Sequence, residues 1–224
     1  MISTLGDILP FAGGLALSPL PLVAVIVMLT GASGKRNAIA FAGGWFTGAL
    51  LLSGLVILLV NGASGQTGQE PKTLSGIIKL CFGGLLLFLA WKQWGSRPEP
   101  GEAVEVPGWL VALDSSSAAK CFGFGCFLAP INVKNFPIIA SAGAIIAASG
   151  LGGAQMTFTT LIFAFLGTAG LLIPIVLYVV GGETAQETLQ AWRKWLEKYN
   201  AIILAVLFFY LGLNAFGEGL SILF

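Results

Sequence analysis

CFLAPINVKNFPIIASAG, residues 126–143, decides how the chain is read. It sets Lys134 inside a stretch that carries no other charge from Cys121 to Gly182. Asn132 and Asn135 stand beside the lysine, and Pro130 and Pro137 bracket all three. The 62 residues of 121–182 suffice for two membrane helices of about 20 residues each, with a turn at SGLGG, 149–153. In a helix over 119–148, Lys134 lies about 14 residues from either end, or roughly 20 Å at 1.5 Å per residue. Its stem is too short to bring the ammonium comfortably to either interface. A charge at that depth costs about 2.5–3.5 kcal/mol on insertion scales. No carboxylate offsets it, because Asp7 and Glu218 both fall near the outer ends of their segments. The partners left are carbonyls, Asn132, Asn135, water, or an anion from outside the chain. Anion contact is the reading we carry forward; a purely structural role and an amine held neutral stand beside it.

Composition puts the rest of the chain in the same solvent. Of 224 residues 56% are hydrophobic and 9% charged, whereas a soluble domain carries about 25% charged residues. So few charges cannot cover a water-exposed surface, so the solvent is lipid. Net charge is +1 and histidine is absent, which excludes a nucleic-acid footprint, histidine metal sites and histidine-based triads. No paired carboxylates, nucleophile–base pair or phosphate loop appears, so neither an enzyme nor a cofactor is expected. Cys81, Cys121 and Cys126 have no CxxC spacing and read as small buried apolar residues. MISTLGDILPF has no Lys or Arg ahead of its apolar run, so the first segment is expected to remain as a span rather than be cleaved.

Uncharged runs place six helices near 6–30, 37–60, 74–94, 119–148, 155–181 and 200–222. The expected fold is an all-α polytopic membrane protein. Loops after the first, third and fifth helices hold Lys35, Arg36, Lys92, Arg97, Lys120, Arg193, Lys194 and Lys198, whereas the other side holds Lys72. That asymmetry places both termini outside the cytoplasm. Trp91, Trp94, Trp109, Trp192 and Trp195 fall at the same cytoplasmic interface, where amphipathic rings favour the headgroup layer. Within the loop 95–118, Trp109, Leu110 and Leu113 suggest a short interfacial helix, with a plain connector as the equal alternative. Leu189, Trp192, Trp195, Leu196 and Tyr199 suggest a second, running into the sixth span.

Two three-helix halves, 1–94 and 119–224, are joined by that loop. Each begins with a proline-interrupted helix, SPLP at 18–21 and APINVKNFP at 129–137, and each continues with a similar stretch, WFTGALLLSGL (45–55) and AFLGTAGLLIP (164–174). Three crossings per half is odd, so homologous halves must lie inverted to each other. Pro19 and Pro21 free the carbonyls of Leu15 and Leu17, while Pro130 and Pro137 free those of Cys126 and Val133. Such groups should face protein or a wet cavity. Ser18 before Pro19 is a good N-cap and first-turn pair, so a second half-helix can start at mid-depth and attract an anion. An ordinary kink without a ligand is the alternative.

The chain resembles the LysE superfamily of six-helix exporters, and within it the glycolipid- or sulfolipid-addressing (GAP) family. LALSPLPLVAVIVMLTGASGKRNAIAFAGGWFTG (15–48), PGWLVALDSSSAAKCFGFGCFL (107–128), LLIPIVLYVVGG (171–182) and AWRKWLEKYNAIILAVLFFYLGLNAF (191–216) carry the resemblance. The family's fourth-helix motif is Asn-Pro-Lys-Asn; here Val133 replaces the proline between Asn132 and Lys134. The resemblance implies export of a small zwitterion, or of a lipid-linked glycoconjugate, across the bacterial inner membrane. On that reading the cargo site lies between helices one and four. Lys134 would bind the anionic group, with Asn132 and Asn135 at its rim, and Ser18, Pro19, Pro21 and Pro130 would shape the walls. Membrane lipids, a homodimer mate or a lipid-export complex are the expected partners. The competing reading is an accessory protein that stabilises such a complex and moves nothing. A thiol–disulfide relay fails, since the first helix has no cysteine.

Overall fold

The structure is a computed structural model that describes residues 1–31, 34–64, 72–97, 110, 113, 116–132, 134–182 and 184–223. Among these the chain forms α1 (Ile2–Ala16), α2 (Pro19–Thr30), α3 (Gly34–Ser64), α4 (Lys72–Gly95), α5 (Ala118–Ile131), α6 (Phe136–Ala148), α7 (Gly153–Gly181) and α8 (Thr184–Leu223). Gly34–Gly62, Gly153–Gly181 and Thr184–Leu223 are each long and apolar enough to cross a bilayer. The pairs α1–α2, bent by 51°, and α5–α6, bent by 74°, are so when each is taken as one broken span. The chain is therefore a multi-pass membrane protein with three to five candidate spans. The expected third helix, 74–94, is present as α4. The expected interfacial segment after Gly182 and the sixth apolar run form one continuous helix, α8.

Proline alone does not break these helices, because Pro10, Pro130 and Pro174 sit inside α1, α5 and α7. Breaks occur where a second element joins in. Ser18 adopts φ −66° and ψ 109°, the extended backbone favoured ahead of proline, so α1 ends and α2 restarts with Pro19. Asn132 is likewise extended, φ −61° and ψ 115°. Its Oδ1 accepts the Lys134 backbone N–H at 3.1 Å, an Asx turn that competes with continued helix. Pro137 then occupies the first turn of α6. Val133 lies outside the described residues.

Two compact units emerge, each discontinuous in sequence. The first comprises Met1–Val60 and Glu105–Glu197, and holds both breaks. In it α1 and α2 pack on α7, and α1 also packs on α6. α3 meets α5 through bare backbone: Gly44 lies on the Phe122 carbonyl, Gly48 on that of Cys126, and Gly125 on that of Phe41. α7 meets α1 in the same way, Gly170 on the Ala16 carbonyl and Gly167 on Leu15. Small residues are what lets helices approach this closely in lipid, where no hydrophobic force drives them together. Trp45, Phe41, Phe163, Ile26 and Met28 are fully buried around these contacts.

In the same unit, Leu110 and Leu113 of the long loop are helical and buried. The Asn37 amide donates to the Ser116 carbonyl at 2.6 Å, and the Cys121 thiol to that of Leu113 at 3.7 Å. These two leucines are thus held by protein; Trp109 falls outside the described residues. The second unit comprises Asn61–Val104 and Lys198–Phe224. There α4 runs antiparallel to the end of α8: Gly76 meets Leu223, Leu80 meets Gly219, Gly83 meets Phe216, and Leu87 meets Gly212. Lys79 Nζ and Glu218 Oε2 pair at 2.7 Å on this seam.

Candidate functional site at the paired helix breaks

The two breaks touch. Ser18 Oγ donates to Asn135 Oδ1 at 3.2 Å, joining positions 117 residues apart through a bond with 4% and 1% of the two residues exposed. Ser18 does occupy the N-cap position of α2, but its side chain makes no capping bond. A capping oxygen accepts from the second or third N–H of the helix; the third residue, Pro21, has none, which leaves the Leu20 N–H as the one candidate. The Ser18 hydroxyl donates across the interface to Asn135 instead of turning back on its own helix.

Several acceptors around the break are used internally, whereas the Leu17 carbonyl freed by Pro21 and the Lys134 carbonyl have no backbone donor among the described residues. Asn135 Oδ1 takes the Ser18 hydroxyl, and Asn132 Oδ1 takes the Lys134 N–H. The Asn132 carbonyl accepts from Asn135 and Phe136 N–H at 2.8 and 2.9 Å. Leu15, freed by Pro19, receives the Ser18 N–H at 3.3 Å, so this carbonyl is satisfied by protein as expected. Donors remain over. Asn135 Nδ2 is buried with no partner. Among the described residues Asn132 Nδ2 and the half-buried Lys134 Nζ likewise have none. In the first turns of α2 and α6, prolines remove Pro19, Pro21 and Pro137 as donors. Only the Leu20 and Ile138 N–H groups are left there without a backbone acceptor among the described residues.

Each new N-terminus contributes its dipole and one free N–H, not a full cradle of amides. Side chains therefore supply most of the hydrogen-bonding capacity. The arrangement can hold a group that is purely an acceptor and carries negative charge; an aspartate or glutamate of this chain that would neutralise Lys134 is not found among the described residues.

Of the expected residues, Ser18, Asn132, Lys134 and Asn135 are brought to the two breaks, and Pro19 and Pro21 open α2 beside them. Pro130 sits one turn earlier, inside α5, where its ring packs near Gly48 of α3. One residue escaped the sequence reading. Trp45 is completely buried in α3 against α5, and its indole N–H lacks a partner. Its signal was available: it is the tryptophan that does not belong to the interfacial set.

A family model described as Sap, sulfolipid-1-addressing protein, matches residues 8–221. No curated protein and no solved structure matches the chain.

Proposed function

From the premise that the chain belongs to the family of the Sap, sulfolipid-1-addressing protein, we propose that it carries an anionic or zwitterionic lipid-linked headgroup across the bacterial inner membrane. The observation that carries this reading is the surplus of donors at the break, where Lys134, Asn132, Asn135, Leu20 and Ile138 keep N–H groups and no carboxylate pairs with the lysine among the described residues. A sulfate, phosphate or carboxylate is the complement of such a set. Lys134 neutralises the group, the asparagine amides orient it, and the Ser18–Asn135 bond keeps the two half-helix starts together. Transport then consists of rocking one three-helix repeat against the other about this site.

Several features support the finer architecture. Counting α1–α2 and α5–α6 as broken spans and α4 as a third-helix span gives six crossings. Reciprocal packing of α3 on α5 and of α7 on α1 is what an inverted pair of repeats, belonging to the LysE superfamily, would give. The lysine and arginine asymmetry favours termini outside the cytoplasm. No enzymatic step and no cofactor enter this mechanism.

The test is reconstitution into liposomes containing a fluorescent, headgroup-labelled phosphatidylglycerol, with leaflet transfer read by chemical quenching. The wild type should accelerate transfer. Lys134→Gln should slow it about ten- to a hundredfold, the loss of one charge-assisted hydrogen bond at about 1.5–3 kcal/mol. Equal rates for both proteins would overturn the assignment. A wild type that moves no lipid yet co-purifies with a lipid-export complex would favour the accessory role.

A further inference from the structure

Immediately before the second break, α3 and α5 border a groove of about 270 Å³. Its floor is Gly48 and Pro130, and its walls are Leu51 and Leu55 from α3 and Phe127 and Ile131 from α5. Why it stays open follows from residue size. Gly48 lets the α3 backbone rest on the Cys126 carbonyl, the one that Pro130 leaves without an in-helix donor. The helices are thus pinned together at the floor. Above it, Leu51 and Leu55 are four residues apart, as are Phe127 and Ile131, so each pair stacks on one helix face and holds its wall upright. All four wall side chains are exposed.

The chemistry changes abruptly at one end. Ile131 is the last residue of α5, and Asn132 begins the break with its surplus of donors. An almost wholly carbon-lined slot therefore ends at Ile131, next in the chain to the break that holds Lys134 and the unpartnered asparagine amides, within the same compact unit. A hydrocarbon chain attached to an anionic headgroup has that same polarity, in the same order. We propose that the groove between α3 and α5 binds one acyl chain of the lipid whose headgroup occupies the breaks, so that cargo enters sideways from the bilayer. The inference rests on the transport reading above for the identity of the headgroup, but the groove is tested separately.

The probe is phosphatidylglycerol carrying a photoreactive diazirine midway along one acyl chain, dispersed in liposomes with the full-length protein, and labelled peptides are located by mass spectrometry. Labelling is expected to concentrate on residues 48–55 and 126–131 above the level on other lipid-facing positions such as Leu58 and Phe158. Filling the groove by Leu51→Trp with Ile131→Trp should lower that labelling about tenfold, as when two methylenes lose their burial. The control pair Leu58→Trp with Phe158→Trp should leave it unchanged. Both sets alter side chains already exposed, so folding is preserved, and circular dichroism in the same liposomes checks this. Uniform labelling of all exposed apolar positions would mean ordinary annular lipid and overturn the proposal. So would an unlabelled groove in which Leu51→Cys protein forms disulfide-linked dimers, since a second copy would then be the occupant. Lys134→Gln separates the two ideas: groove labelling that survives this substitution together with unchanged leaflet transfer sinks the transport reading and keeps the groove, whereas impaired transfer with a uniformly labelled surface does the reverse.

Discussion

Gly44→Ala should destabilise the protein, although the same exchange elsewhere on α3 should stabilise it. A Cβ on Gly44 would stand 2.8 Å from the Phe122 carbonyl carbon and 2.9 Å from the Cys126 nitrogen. Both are α5 backbone, so no rotamer can yield. The nearest atom of all is the Phe122 carbonyl oxygen, and comfortable separation of heavy atoms is about 3.5–4.0 Å, so the helices must part by more than about an ångström, and overpacking of this kind costs about 1–3 kcal/mol. Against it stands the gain of about 0.5–1 kcal/mol from replacing glycine by alanine in a helix. The net expectation is a loss of about 1–2 kcal/mol. Gly54, on the same helix, has nothing within 4 Å of its would-be Cβ, so Gly54→Ala should gain up to about 1 kcal/mol. Gly167 is intermediate, because its nearest obstacle is Leu15 Cδ2 at 2.6 Å, the tip of a side chain that can turn away. Unfolding in mixed micelles with increasing dodecyl sulfate, followed by tryptophan fluorescence and circular dichroism, measures the order. Gly44→Ala proving as stable as Gly54→Ala would refute the close approach of α3 to α5.

Three further outcomes follow from other contacts. Ser18→Ala and Asn135→Ala, combined in a double-mutant cycle in the same micelles, should show a coupling of about 0.6–1.7 kcal/mol, the span for polar pairs between membrane helices; zero coupling would dissolve the bridge between the breaks. Asn135→Asp places negative charge beside Lys134 in place of an unpartnered donor, so lipid transfer should fall at least as far as in Lys134→Gln, and full activity would show that the site is not selective for anions. Lys79→Ala or Glu218→Ala should change stability by less than about 1 kcal/mol, because the pair is well exposed to its surroundings. A larger loss, measured by the same unfolding curves, would mean that this ion pair is shielded.

Much of the helical layout was legible because membrane spans announce themselves by length and by absence of charge. Both breaks were legible too, since SPLP and the Asn132–Asn135 segment each add a non-helical preference to proline. What the residues could not disclose was pairing. Ser18 has the ordinary look of a helix cap, and only knowledge that Asn135 lies beside it shows why the cap is forgone. Likewise Gly44, Gly48 and Gly170 read as generic small residues until the carbonyl facing each one is known. Trp45 was passed over because its burial comes from α5, which no periodicity within α3 records. The continuity of α8 was legible as well, because the amphipathic pattern of 189–199 runs into the uniformly apolar stretch with no helix breaker between them.

The seam between α4 and the end of α8 bears on how the protein is made. Lys79 meets Glu218 only after 139 more residues have left the ribosome. At about 5–20 residues per second, this is a wait of roughly 7–28 s during which α4 holds an unmatched charge and an uncovered glycine face. Through that interval the helix must shelter at the insertion machinery or against a chaperone. Premature termination anywhere before the last two turns would leave it orphaned and marked for degradation.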